Sequence, residues 1–141
     1  MMDDSEVVRL QFICTSQNPA RLIEQLSPTS LAYIGDAVYE LYIRTHFLWP
    51  PKKISLYHDQ VVSKVRAEFQ AACLEQLKPD LTETEQEILR RGRNGVKREP
   101  SRLSPKLYQE ASSLETLIGY LYLSNPQRLN QLLEKLKLDE F

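Results

Sequence analysis

Hydrophobic residues recur every three to four positions along most of the chain, which is the spacing of one face of an α-helix. No run alternates with period two beside a hairpin turn signal, so the pattern does not predict a β-sheet. We therefore predict an all-α fold, a helical bundle. The length of 141 residues suits one domain over the whole chain, 1–141, with its core at about 19–137.

Prolines and capping residues divide this pattern into six predicted helices. They cover about 19–26, 30–48, 55–77, 82–91, 107–123 and 126–136, and the second is the most hydrophobic. Residues 92–105 lack a helical period and contain two glycines and two prolines. This predicts a loop of about 14 residues, a length at which loops tend to be functional or disordered.

Composition and charge exclude several classes of protein. No apolar run approaches the roughly 20 residues that a membrane span needs, and the acidic start does not resemble a secretory leader. Cys14 and Cys73 are far apart and form no CxxC pair, so neither a disulfide scaffold nor a thiolate zinc site is indicated. We expect a cytoplasmic protein with reduced cysteines and no membrane partner.

Positive charge is concentrated in one segment. The net charge of the chain is −1, whereas residues 90–106 hold seven basic residues and one acidic residue, a net +6 that leaves −7 for the rest. Such a segment is typical of a surface that binds nucleic-acid phosphates. The alternative is a solvated loop whose charges pair with the acidic residues at 80–87.

Two acidic residues interrupt the most apolar helices. Asp36 follows Gly35 in LAYIGDAVYELYI, and Glu115 precedes Gly119 by four residues in LETLIGYLYL. If the glycines let the two helices cross closely, both carboxylates would meet inside, where like charges need a cation or a raised pKa. Many phosphodiester-cleaving sites hold a divalent ion between carboxylates. The alternative for Glu115 is an ordinary carboxylate in the first turn of a helix.

Other polar residues have weaker claims to a site. Glu40 lies one turn after Asp36 and could share a metal ion, but we favour an exposed stripe in which it pairs with Arg44. His46 and His58 are not at ligand spacing, so surface positions are expected for both. The tyrosines of VYELY and YLY are expected in the core.

Several ordered motifs resemble a known family. LAYIGDAVYELYI resembles the signature helix of ribonuclease III, and LETLIGYLYL resembles its second acidic motif. RRGRN at 90–94, VRAEFQA at 65–71 after His58, and Tyr108 before the second motif are similar to the Mini-ribonuclease III subfamily. The resemblance covers about residues 26–137.

The resemblance implies a ribonuclease III endonuclease domain without a double-stranded-RNA-binding domain. It implies a homodimer that cleaves double-stranded RNA with Mg²⁺, for which Mn²⁺ can substitute, leaving 5′-phosphate and 3′-hydroxyl ends. The substrate would be precursor large-subunit (23S) ribosomal RNA, with a ribosomal protein as an assisting partner. The implied residues are Asp36 and Glu115 for catalysis and metal binding, Arg90, Arg91, Arg93, Asn94, Lys97 and Arg98 for RNA, and Glu40, His58 and Tyr108 in support.

The sequence also departs from the full family pattern. Further acidic residues stand in ribonuclease III where this chain has Ala32 and Ser112, so two carboxylates remain for each site, and Gln109 replaces a usual arginine. Two other classes of function are an inactive ribonuclease III-like RNA-binding module and a helical protein-interaction domain. For the homodimer we predict an interface on the 30–48 helix with Tyr33, Val38 and Tyr42.

Overall fold

The computed structural model describes residues 20–95 and 104–139, and in these ranges the ordered elements are helices. We number the α-helices α1 to α7 along the chain, and a 3₁₀ turn covers Lys78–Asp80 between α4 and α5. The bounds are Ala20–Glu24 (α1), Pro28–Phe47 (α2), Ile54–Val65 (α3), Ala67–Leu77 (α4), Glu83–Gly95 (α5), Pro105–Ser124 (α6) and Pro126–Glu134 (α7). The predicted all-α fold class is confirmed.

Three helices begin with the same kind of N-terminal cap. Ser27, Ser104 and Asn125 accept a hydrogen bond from a backbone N–H three residues later, and proline follows each of them at the first helical position. At α5, the Thr82 hydroxyl accepts from the Glu85 N–H and the Glu85 carboxylate accepts from the Thr82 N–H. These reciprocal bonds form a capping box, for which Thr82 and Glu85 have the usual residue types and spacing.

Helix α6 is the centre of the bundle. It packs against α2 over most of its length, and α4, α5 and α7 cover its other sides. Its buried residues include Leu114, Leu117 and Leu121, so a change in its position would be felt by every neighbouring helix. Tyr39 and Tyr122 are buried, in agreement with the predicted core role of the tyrosines. No helix in the described ranges is both long and apolar enough to cross a membrane.

The predicted helix over 55–77 is wrong as a single element, because the chain breaks at Arg66. Arg66 adopts extended backbone angles (φ −72°, ψ 152°) between α3 and α4. The Tyr39 hydroxyl donates a 2.6 Å hydrogen bond to the carbonyl of Lys64, which replaces a bond that a continuous helix would supply. As a consequence α3 packs on α2, whereas α4 packs on α6.

The predicted loop over 92–105 is wrong at both of its ends. Helix α5 continues through Gly92 to Gly95, and α6 begins at Pro105; residues 96–103 lie outside the described residues. No described glycine has a positive φ. Gly92 is needed for close packing instead, because a Cβ there would lie 2.7 Å from the Thr116 hydroxyl oxygen on α6.

Candidate active site

The site lies where α2 and α6 cross, and two glycines allow the crossing. A Cβ at Gly35 would overlap the backbone carbonyl oxygen of Glu115 and lie 2.9 Å from the Gly119 nitrogen. A Cβ at Gly119 would overlap the carbonyl oxygen of Leu31 in the same way. The helix backbones are therefore in direct contact, at a distance that any side chain at these two positions would prevent.

This crossing brings Asp36 and Glu115 together. Asp36 follows Gly35 on α2 and is exposed, whereas Glu115 on α6 is half-buried. Burial, together with the hydrogen bond and charge of Asp36, raises the pKa of Glu115 to about 8. The two carboxyl groups thus form an acidic pair that is costly to ionise without a positive charge nearby.

A cavity of about 410 Å³ opens beside this pair. Asp36 and Glu115 line it, and so do Tyr108, Ala32 and Ser112. Tyr108, which the resemblance implies as a supporting residue, is therefore placed at the site. Ala32 and Ser112, the positions that lack the family's additional acidic residues, are small and leave space beside the two carboxylates.

The donor set suits a hard divalent cation that retains much of its water. Among residues 20–95 and 104–139, no group of three or more His, Cys, Asp or Glu side chains is arranged to hold a metal ion. Mg²⁺ is commonly bound by only one or two carboxylates, with water completing its octahedral coordination. The acidic pair and the cavity fit this mode, and they do not fit a cage built entirely from protein ligands.

Sequence reasoning missed Gln70, a buried amide that reaches the site from α4. It is 4% exposed, and its Nε2 donates a 3.3 Å hydrogen bond to Oε2 of Glu115. Gln70 lies within the VRAEFQA motif, so the motif contained it, but only the break at Arg66 brings α4 against α6. A single helix over 55–77 gave no reason to place it near Glu115.

Two of the predicted supporting residues lie elsewhere. Glu40 accepts a 2.5 Å ion-pair hydrogen bond from Arg44 and does not line the cavity, so the exposed stripe is the better description. His58 is exposed on α3 and is absent from the cavity lining. A supporting role for Glu40 and His58 stays a prediction of the family resemblance.

The basic segment begins beside the cavity. Gly92 and Gly95 of α5 line the cavity, and Arg91, Arg93 and Asn94 are their neighbours in sequence. Arg90 is instead bound by Glu87 through two hydrogen bonds, which supports the charge-pairing alternative at that one position. Within the described ranges, Arg91 and Arg93 form no ion pair with an acidic side chain. Lys97 and Arg98 lie outside the described residues.

Comparisons with known proteins agree with this fold and site. Residues 29–126 match the family model described as Ribonuclease III domain. A protein of Fusobacterium nucleatum solved by X-ray crystallography superposes with a TM-score of 0.73 at 31% identity, covering 78% of this chain and 92% of that one. The fold and the acidic pair thus define a ribonuclease III-type domain, an endoribonuclease class.

Relatives of similar length identify the family to which the chain belongs within the ribonuclease III class. Mini-ribonuclease 3 of Synechocystis sp. is 50% identical over 128 residues, which cover 89% of this chain and 90% of the relative. Mini-ribonuclease 3 of Synechococcus sp. is 51% identical over 118 residues, or 84% and 86% of the two chains. The chain belongs to the Mini-ribonuclease 3 family.

Proposed function

We propose that the protein is a Mg²⁺-dependent endoribonuclease that cleaves double-stranded RNA, with Asp36 and Glu115 as its metal-binding and catalytic residues. The convergence of these two carboxylates at the helix crossing carries the proposal. A cation between them offsets the repulsion that, with burial, raises the pKa of Glu115. Mn²⁺ would serve in place of Mg²⁺, because both ions accept carboxylate and water ligands.

The two carboxylates have different tasks because their surroundings differ. Glu115 is half-buried and accepts a hydrogen bond from Gln70 on α4, so it would hold the cation from inside the crossing, whereas the exposed Asp36 would hold it from the solvent side. The small side chains of Ala32 and Ser112 leave room for water in the cavity. When bound between these carboxylates, Mg²⁺ would supply Lewis-acid chemistry for the attack of water on the phosphodiester, with 5′-phosphate and 3′-hydroxyl ends as the products.

The basic segment would hold the RNA backbone next to this site. Arg91 and Arg93 flank Gly92, which lines the cavity, so their positions on α5 adjoin the site. A-form RNA is recognised mainly through its shape, its 2′-hydroxyls and its phosphates, and such arginine contacts need no base specificity. Asn94, Lys97 and Arg98 extend this proposed surface along the chain.

A homodimer would place two such sites on one duplex. Tyr33, at 85% exposure, lies at the rim of the cavity, and Ala37 and Leu41 follow it along the exposed side of α2. This stripe is the candidate interface. Val38 and Tyr42, the other predicted interface residues, are partly buried against the protein's own core, where the Tyr42 hydroxyl donates to the Leu133 carbonyl, and their contribution to the interface stays a prediction. Light scattering should give twice 16.4 kDa, and Tyr33→Arg should shift the species towards a monomer.

The most specific substrate we propose is precursor 23S ribosomal RNA, in line with the family resemblance. A ribosomal protein as an assisting partner and a cytoplasmic location are predictions of the same origin. The test is incubation of the purified protein with structured ribosomal precursor RNA and with an unrelated duplex, each with Mg²⁺ and with EDTA. Cleavage of the precursor at discrete positions, only with Mg²⁺, is expected, and the new 5′ ends should be sensitive to phosphatase. Tight binding without any cleavage would instead identify an inactive RNA-binding module.

A further inference from the structure

Gln70 is a buried polar side chain whose placement in the core needs a reason. It lies on the first turns of α4, next to Phe69 and Ala71, which are both buried. An amide taken out of water costs free energy unless its hydrogen-bonding groups find partners. The partner that the structure gives its Nε2 is the carboxylate of Glu115, 45 residues further along the chain.

This hydrogen bond acts on a ligand whose carboxylate could otherwise rotate. A glutamate side chain has three torsions, and the terminal torsion, which turns the carboxylate, has only broad preferences. Asp36 touches the Glu115 carboxyl from α2, and Gln70 donates to its Oε2 from α4. The Gln70 amide therefore fixes Oε2 of Glu115. The other carboxylate oxygen of Glu115 remains available on the side that faces Asp36 and the cavity.

A neutral amide suits this position better than a charged side chain would. The Gln70 NH₂ group donates to a carboxylate without neutralising it, so Glu115 keeps the negative charge that a cation needs. A lysine there would compete with the metal ion, and an apolar residue would leave the carboxylate orientation unspecified. In known metal sites, removing a group that orients a ligand in this way commonly lowers the metal affinity or the activity 10- to 100-fold.

We propose that Gln70 is a positioning residue that orients Glu115 for divalent-metal binding. This inference rests on the proposed function, in which Glu115 is a metal ligand. It gives α4 a role in the site. The helix restarts after the break at Arg66, and this brings Gln70 into hydrogen-bonding distance of Glu115 on α6.

The test replaces Gln70 with methionine, which keeps the length and flexibility of the side chain and removes the donor. RNA cleavage is measured as a function of Mg²⁺ concentration, and the rise in melting temperature with Mg²⁺ is measured without RNA. We expect the Mg²⁺ concentration for half-maximal cleavage to rise at least about 10-fold. The thermal titration should shift equally, and saturating Mg²⁺ should restore turnover to within a few-fold of wild type. Gln70→Asn, which retains the amide but shortens its reach, should shift the titration in the same direction.

The matched control is Gln76→Met on the same helix. Gln76 donates to the carbonyl of Lys135, away from the site, so its replacement should leave the Mg²⁺ dependence unchanged. If Gln70→Met lowers the melting temperature but leaves both Mg²⁺ titrations at wild-type values, Gln70 is only structural and the inference is overturned. A loss of turnover that no concentration of Mg²⁺ restores also overturns it.

Glu115→Gln separates this inference from the proposed function. If that variant cleaves RNA as well as wild type does, Glu115 is not the ligand and the proposed function fails together with the inference. If Glu115→Gln is inactive while Gln70→Met and Gln70→Asn retain wild-type Mg²⁺ dependence, only the positioning role of Gln70 fails.

Discussion

Replacing Gly35 with alanine tests whether the close crossing of α2 and α6 builds the site. The added Cβ would overlap the Glu115 carbonyl oxygen and lie 2.7 Å from the carbonyl carbon. Non-bonded carbon atoms prefer separations of about 3.5 Å or more, so the helices must part by roughly 1 Å. Since both neighbours are backbone atoms of a buried helix, no side-chain rotation can relieve the overlap.

The expected cost is the difference between two opposing effects. Overpacking a core costs about 1–3 kcal/mol, with larger values where nothing can yield, as here. Alanine in place of glycine within a helix returns about 1 kcal/mol. We therefore expect a net loss of about 2 kcal/mol or more in the free energy of unfolding. For a domain of this size that corresponds to a melting temperature lower by roughly 5–10 °C.

We expect Gly35→Ala to reduce the rate of RNA cleavage more strongly than it reduces the stability of the fold. The shift moves the Glu115 backbone away from Asp36, and a displacement of about 1 Å in a catalytic group can cost 10²-fold in rate. Urea unfolding and cleavage are measured at a temperature where the variant is folded. Gln131→Gly, at an exposed position of α7 away from the site and from the candidate interface, is the control: it should lose about 0.5–1 kcal/mol and keep its activity. A Gly35→Ala protein with wild-type stability and turnover would refute the reasoning.

Three further predictions concern single side chains. In EDTA, Glu115→Gln should be more stable than wild type by about 4 kcal/mol at pH 7.5 and equal to it at pH 4. In the wild type the pKa of Glu115 is raised on folding, so its ionisation lowers the free energy of unfolding as pH rises from the unfolded-state pKa towards about 8. Urea titrations at several pH values measure this effect, and a stability difference between the two proteins that does not change with pH would contradict it. Arg128→Met should cost about 2 kcal/mol at pH 7, because it leaves the buried Glu85 carboxylate without its two hydrogen bonds from Arg128. Arg128 lowers the pKa of Glu85, so this loss should shrink as pH falls through the carboxylate range, and a loss that persists at pH 3 in urea unfolding would count against the ion pair. Arg93→Ala should weaken binding to two unrelated RNA duplexes equally and flatten the slope of log affinity against log salt by somewhat under one, whereas an unchanged slope would remove Arg93 from the RNA surface.

The sequence was informative wherever a local rule decided the structure. The starts of α2 and α7 at Pro28 and Pro126 and the apolar period of α2 depend on neighbouring residues only, and they lie close to the predicted bounds. Gly35 and Gly119 were also readable, because glycine inside an apolar helix is costly unless a close contact requires it. This is why the meeting of Asp36 with Glu115 could be anticipated before the structure was known.

The predictions from sequence were wrong where a residue far away in the chain determines the local structure. The break at Arg66 depends on the Tyr39 hydroxyl, which bonds the Lys64 carbonyl from another helix, and no local pattern contains that contact. Gly92 was interpreted as a loop residue, although its role is to admit Thr116 of α6. Gln70 was missed for the same reason, since its function depends on which helix α4 packs against.

The central claim is that Asp36 and Glu115 together hold the cation that cleaves RNA. The most direct measurement is single-turnover cleavage of a structured ribosomal precursor by wild type, Asp36→Asn and Glu115→Gln, with RNA affinity measured in parallel. We expect both variants to lose cleavage by at least about 10²-fold at any Mg²⁺ concentration, while they remain helical and bind the RNA as wild type does. Near-wild-type cleavage by either variant would contradict it.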